Sequence, residues 1–191
     1  MNFIDPFVEF IKEQMDDPNF AIKIKTDWGS SHPEYRLKIR TFLAEVDSSY
    51  FTREQQTQLY DLNHRPTAQS GYISISHCLQ AGGYSYSKSP LGFDIEEVKR
   101  ISVPIITRTS SEDERSKSPH LKFLWVAKEA AFKALGESSL VITDISCKNW
   151  LQTTGLEIWS YQVRSDKDLR LDLNVGFVFS TPTLLLAVFL K

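Results

Sequence analysis

Phe3, Phe7, Phe10 and Ile11 recur at helical spacing, which predicts an amphipathic helix over residues 3–15. Residues 20–25, Phe-Ala-Ile-Lys-Ile-Lys, alternate and predict a strand, and TDWGSSHP at 26–33 reads as a loop. Helices are predicted from Glu34 to Val46, with Leu37 and Leu43 among the apolar positions, and over residues 52–60. Gly71 opens a strand that runs Tyr-Ile-Ser-Ile-Ser-His to His77, Gly82 and Gly83 mark a turn or bulge, and Ser89-Pro90 turns the chain into a second strand, LGFDIE. With the short Tyr84–Ser87 piece between them, these strands are expected to form a meander. Residues 98–118 are rich in serine and charge and read as irregular. The strongest helix signal runs from Pro119 to Leu135, with Ser118 as N-cap, Pro119 in the first turn and Gly136 at C′. The remainder is β-rich, at 141–147, 156–163, 173–180 and 183–190. The expected class is α+β.

Composition narrows the setting. A chain of 191 residues that is 41% hydrophobic can form one domain or two small halves that share a core. A net charge of −2 argues against a nucleic-acid partner, which calls for a basic face. Cys78 and Cys147 have no zinc-site or disulfide-framework spacing and suit a reducing compartment. Asp5 and Glu9 interrupt the apolar N-terminus, which lacks the basic start of a signal peptide. The longest apolar run, Leu184 to Leu190, is too short to span a bilayer. A cytoplasmic protein with no membrane partner is expected.

Three elements carry candidate chemistry. In LGFDIE, strand alternation sends Leu91, Phe93 and Ile95 one way and Gly92, Asp94 and Glu96 the other. Asp94 and Glu96 then stand with Cα atoms about 6.5–7 Å apart. Such a pair is either a solvated acidic face or the seat of a hard cation, Mg²⁺ or Mn²⁺, with Gly92 leaving room for a ligand. In LKFLWVAKEAAFKAL, Leu121, Leu124, Trp125, Phe132 and Leu135 form an apolar arc, with Trp125, Glu129 and Lys133 along its edge. Glu129 and Lys133 suit an ordinary i,i+4 pair. Lys128 falls inside the arc, where it must snorkel or meet an anion. In ISISH, Ser74 and Ser76 share one face and Ile73, Ile75 and His77 the other. His77 is either a satisfied core histidine or, beside Ser76 at the strand end, a phosphate contact.

Taken together, S-I-S-H, then G-F-D-I-E about fifteen residues on, then W-V-A-K-E-A-A-F-K about thirty residues later, resembles the 4′-phosphopantetheinyl transferase superfamily. Members carry I-S-H, G-x-D-x-E and W-x-x-K-E-(A/S)-x-x-K in this order. The resemblance covers Arg36 to Leu140, about half of the chain. About ninety residues precede Gly92, as in the long, single-chain branch, which folds as a pseudo-dimer of two similar α+β halves. Here the halves would be residues 1–97 and 98–191.

The resemblance implies an enzyme of the holo-[acyl-carrier-protein] synthase type. It implies Asp94, Glu96 and Glu129 as metal ligands, with Mg²⁺ or Mn²⁺ as cofactor and coenzyme A as substrate. Asp94, Glu129 and Lys133 become the catalytic residues, with Lys133 on the phosphate under attack or the leaving group. Glu129 would deprotonate the carrier serine, directly or through water. Ser76 and His77 match contacts to the 3′-phosphate of coenzyme A, and Lys128 and Lys133 match the two family lysines and count among the coenzyme A contacts. The family's Gly-Lys-Pro segment corresponds to His64-Arg65-Pro66, so Arg65 and Pro66 join the coenzyme A contacts, without the glycine that lets backbone approach adenine. Arg36 is the expected 3′-phosphate arginine, with Arg40 the runner-up. The partner is an apo acyl- or peptidyl-carrier protein, and the enzyme is expected to be monomeric. Lys99, Arg100, Arg108, Arg115, Lys117 and Lys122 form either a carrier-steering patch or a solvated loop, since Glu112, Asp113 and Glu114 interrupt them. A metal-dependent phosphodiesterase or pyrophosphatase is the alternative enzyme class, and a non-catalytic coenzyme A or carrier-binding protein is the other.

Overall fold

The computed structural model describes residues 4–15, 17–136, 140–153, 157–165 and 174–191. Phe3 of the expected first helix and positions 156 and 173 of two expected strands lie outside them. The class is α+β. The helices are α1 (Asp5–Gln14), α2 (Tyr35–Glu45), α3 (Arg53–Gln58), α4 (Val103–Thr109), α5 (Glu112–Lys117) and α6 (Leu121–Leu135). The strands are β1 (Ala21–Lys25), β2 (Tyr72–His77), β3 (Gly82–Ser87), β4 (Leu91–Glu97), β5 (Ser146–Gln152), β6 (Ile158–Arg164), β7 (Val175–Ser180) and β8 (Leu184–Leu190).

Two antiparallel sheets result: a three-stranded one ordered β1-β3-β2 and a five-stranded one ordered β4-β8-β7-β6-β5. The expected meander is therefore broken after β3. Instead of pairing with β3, β4 pairs along its full length with β8, from Leu91 opposite Leu190 to Glu97 opposite Leu184. The strand expected to close the first half, residues 1–97, is thus built into the sheet of the second. The apolar run Leu184–Leu190 explains the choice, because it is buried on both faces and needs partners on both edges.

Helices cover both faces of the five-stranded sheet. On one, Phe7 and Ile11 of α1 pack on Phe93, Ile95, Phe179 and Val188, with Phe7 stacked on Phe179 at 5.4 Å. On the other, α6 lies against Tyr161, Val178, Ala187 and Phe189. Each large apolar side chain fully buried this way contributes about 1.5–3 kcal/mol. The small sheet packs Ile73 and Tyr84 against Trp28, Ile39 and Leu43, the last two from α2.

The buried face of α6 differs from the expected arc. Ala127, Ala130, Ala131 and Ala134 are buried, while Leu121 and Phe132 are 38% and 37% exposed. Alanine is small enough to bring a helix close to a sheet, and Gly92 completes the approach. A Cβ built on Gly92 would lie 1.8 Å from the carbonyl oxygen of Ala130. The space expected for a ligand at Gly92 is filled by α6 itself.

Residues 98–118, expected to be irregular, hold α4 and α5. Pro104 sits in the first turn of α4, and Ser111 with Glu114 forms a reciprocal capping box on α5. Ser118 ends α5, so α6 starts at Leu121 with His120 as its cap in place of Ser118. Gly136 adopts the left-handed conformation at φ 61° and ends α6 where expected. The expected strand at 141–147 begins as a turn of 3₁₀ helix at Ile142–Asp144, and β5 runs on to Gln152. Among the described residues no helix is long and apolar enough to cross a membrane.

Gly92→Ala is expected to destabilise the fold by about 3 kcal/mol or more, because the added methyl meets backbone rather than a movable side chain. Urea unfolding measures it.

Candidate active site

The two sheets are joined side by side at β2 and β4 by serine hydroxyls. Ser74 Oγ accepts from the Phe93 N–H at 2.9 Å, and Ser76 Oγ accepts from the Ile95 N–H at 3.3 Å. The faces of ISISH fall as the alternation requires. The serines meet β4, while Ile73 and Ile75 pack toward the α2 cluster and the His77 ring lies 4.5 Å from that of Tyr35.

Lys133 reaches this seam from the last turn of α6. Its ammonium lies 2.7 Å from Asp94 Oδ1, 3.0 Å from Ser76 Oγ and 3.2 Å from the Phe93 carbonyl oxygen. Ser76 also donates to Asp94 Oδ1 at 2.8 Å. The three ammonium hydrogens are thereby used, as are the hydroxyl's one proton and two lone pairs. Asp94 is buried, and a buried carboxylate needs this pairing.

Glu129 lies one turn before Lys133 on α6, and Glu96 lies two residues beyond Asp94 on β4. Both are half-buried, and no ion pair is present at either among the described residues. Burial pushes the Glu129 carboxyl above its ordinary value, and the charges of Asp94 and Glu96 push it further, with Lys133 opposing. Burial also raises Glu96, opposed by the Glu97 N–H it accepts from and reinforced by Asp94. The three carboxylates therefore sense one another. Among the described residues, however, no group of three carboxylate, imidazole or thiol side chains is arranged to hold a metal ion. In this arrangement the cation on Asp94 is Lys133.

A cavity of about 260 Å³ lies on the Ile75 and His77 side of β2, lined by Arg36, Arg40, His64, Arg65, Pro66 and His77 among others. The two candidate arginines divide their roles. Arg40 is buried, donates to the carbonyl oxygens of Leu59 and Asp61 at 3.3 Å and of His64 at 2.7 Å, and so pins the loop before Arg65. Arg36 is exposed at the cavity wall, its Nε donating to the Tyr35 hydroxyl at 3.1 Å. Arg65 donates to the Lys133 carbonyl oxygen at 3.3 Å, linking the loop to α6. Burial lowers the His77 pKa, Arg36 and Lys133 add to the effect, and Asp94 opposes it. A larger cavity, about 760 Å³, lies on the far side of Arg65 between residues 65–73 and the end of α6. It is lined by Lys133 as well as Arg65 and Pro66, and neither cavity is lined by Asp94, Glu96 or Glu129.

Lys128 stands apart. Its need for an anion is met inside the chain, and its burial takes it away from the expected coenzyme A contacts: it is 1% exposed and faces inward onto Glu114, 2.9 Å away, and the Thr109 carbonyl oxygen at 2.6 Å. Its anion is a carboxylate of the chain itself. The basic stretch is also largely engaged locally. Lys99 pairs with Glu97 at 3.4 Å, Lys117 with Asp113 at 2.7 Å, and Arg115 donates to the Ser110 and Thr107 carbonyl oxygens.

Two features escaped the sequence reading. One is Ser76 as a direct partner of Asp94. The other is a groove of about 430 Å³ in which Ile105 and Arg108 of α4 face Trp125, Glu129 and Phe132 of α6. The S-x-x-E pattern at Ser111–Glu114 is a helix-start signal that would have revealed the helical segment beside it. Compared with known proteins, the chain matches no family model and no curated protein sequence.

Glu129→Gln tests the electrostatics. A carboxyl whose folded pKa is raised weakens the fold as pH climbs from its ordinary 4.5 through the raised value. The variant is expected to have a higher thermal midpoint than the parent at pH 7–8, with the gain vanishing below about pH 4.5. Thermal unfolding against pH checks the sign.

Proposed function

We propose that the protein transfers the 4′-phosphopantetheinyl group of coenzyme A to a serine of an apo acyl- or peptidyl-carrier protein, releasing 3′,5′-ADP. The observation that carries this reading is the meeting of three separated motifs at one point, where Lys133 of the K-E motif lies 2.7 Å from Asp94 of the D-x-E motif and 3.0 Å from Ser76 of the I-S-H motif. A cavity bearing Arg36, Arg65 and His77 opens on the side of β2 to which Ile75 and His77 point. The pairing of a helix with an antiparallel sheet in each part of the chain, α2 with the small sheet and α6 with the large one, supports the long, pseudo-dimeric architecture in a monomer. The unpaired buried thiols suit a cytoplasmic setting.

In this reading the 3′-phosphate meets Arg36, Arg65 and His77. Neutral His77 donates a hydrogen bond or takes up a proton when the phosphate arrives. The serine oxygen forms a bond to the pantetheine-side phosphorus while the bond from that phosphorus to the bridging oxygen breaks, and 3′,5′-ADP departs with the bonding pair. Glu129, whose raised pKa suits proton uptake, accepts the serine proton. Lys133 stabilises charge on the phosphates. The donor chemistry fits a hard divalent cation, Mg²⁺ or Mn²⁺, because Asp94, Glu96 and Glu129 offer only oxygens and two of them already have raised pKa values. These three would hold it, and when bound it neutralises pyrophosphate charge.

Incubation with coenzyme A, Mg²⁺ and candidate apo-carriers, followed by intact-mass analysis, is expected to show a carrier heavier by one phosphopantetheinyl group. Release of phosphorylated products with no change in carrier mass would instead identify a hydrolase. Asp94→Ala is expected to cut transfer by about 100-fold or more. His77→Ala is expected to raise KM for coenzyme A more than for its 3′-dephospho analogue, and equal changes would remove His77 from the 3′-phosphate site.

A further inference from the structure

A second buried charge cluster lies behind the active-site face of α6. Lys128 and Glu129 are neighbours in sequence but point to different places, Glu129 into the groove and Lys128 into the interior. The Lys128 ammonium binds both carboxylate oxygens of Glu114, at 2.9 and 3.2 Å, and the carbonyl oxygen of Thr109, at 2.6 Å. Glu114 in turn accepts from the Cys147 N–H of β5 at 3.0 Å and from the Ser111 N–H that starts α5 at 2.9 Å. Lys128 and Glu114 thus tie together the end of α4, the start of α5, the edge strand β5 and the middle of α6.

The arrangement has a specific geometric consequence. Thr109 is the last residue of α4, the helix that carries Ile105 and Arg108. Those residues form one wall of the groove, and Trp125, Glu129 and Phe132 form the other. Val103 at the start of α4 is 57% exposed, and Ile101 and Ile106 on either side of it are buried in the core. The hydrogen bond from Lys128 to Thr109 fixes the other end to the helix that bears Glu129.

We propose that Lys128 is a positioning residue: through Glu114 and Thr109 it latches the α4–α5 segment in register with Glu129, and this sets the groove in which the acceptor protein presents its serine. The proposal rests on the transfer reading above for the identity of the acceptor, but the latch is testable without it. Lys128 touches neither coenzyme A nor the metal-binding carboxylates in this account.

Two variants separate latching from stability. Lys128→Met leaves Glu114 charged, buried and without its cation. Lys128→Met combined with Glu114→Gln removes both charges, which relieves the unpaired carboxylate but leaves the Thr109 carbonyl oxygen without its donor. Hydrogen exchange on the substrate-free protein is expected to speed up about tenfold or more across residues 103–118 in both variants, with the α1 and β8 amides unchanged in the double variant. In transfer assays with an acceptor that the parent modifies, KM for the acceptor is expected to rise about tenfold in both, while kcat at saturating acceptor and the Kd for coenzyme A stay within about twofold. The double variant is expected to regain most of the parent's thermal midpoint while its acceptor KM stays high. Parental exchange at 103–118 in the double variant, or a KM that recovers along with the thermal midpoint, would overturn the proposal. Failure of the parent to modify any carrier would defeat the transfer reading, and the exchange measurement would still decide the latch.

Discussion

The contact on which the site depends is the part-buried meeting of Lys133 with the buried Asp94 and Ser76. It joins a helix, a strand of the large sheet and a strand of the small sheet, and each group answers a need of the others. Asp94 without a cation would be a buried charge, and Lys133 without its acceptors would leave ammonium hydrogens unpaired. Ser76 uses one hydroxyl to satisfy both of them and the backbone of β4. Breaking any one member strands the rest, so the seam between the sheets and the candidate site share a single set of hydrogen bonds.

Gly92 makes this meeting possible from below. The close approach of α6 to β4, with alanines against a residue that has no side chain, brings Lys133 within reach of Asp94. The tight packing also places the consecutive residues Lys128 and Glu129 in opposite roles. One is held in a dry interior by Glu114, and the other is left half-buried with a raised pKa among like charges. Helical geometry separates neighbours by ~100°, so one helix supplies both a buried ion pair and a half-buried acidic face.

Much of this was legible in the sequence. The alternation in LGFDIE and ISISH sorted side chains onto the faces they occupy, and Gly136 marked the end of α6. The strand pairing was not legible, because β4 could follow its neighbour β3 or a distant apolar strand, and only the two-sided burial of β8 decides for the latter. The buried face of α6 was misread because alanine carries little hydrophobic signal, while Leu121 and Phe132, which carry more, face outward. Lys128 was recognised as a buried cation that needs an anion. Its partner was missed because residues 98–118 read as irregular, although the S-x-x-E pattern there marked a helix start.

The proposed transfer requires Asp94, Glu96 and Glu129 to hold one divalent cation and Lys133 to meet a phosphate of coenzyme A. A crystal structure with coenzyme A and Mg²⁺ tests this most directly. The expected result is one ion bound by oxygens of all three carboxylates at about 2.0–2.1 Å, with the Lys133 ammonium on a phosphate oxygen. An intact Lys133–Asp94 pair, with the nucleotide bound away from β2 and α6, would contradict it.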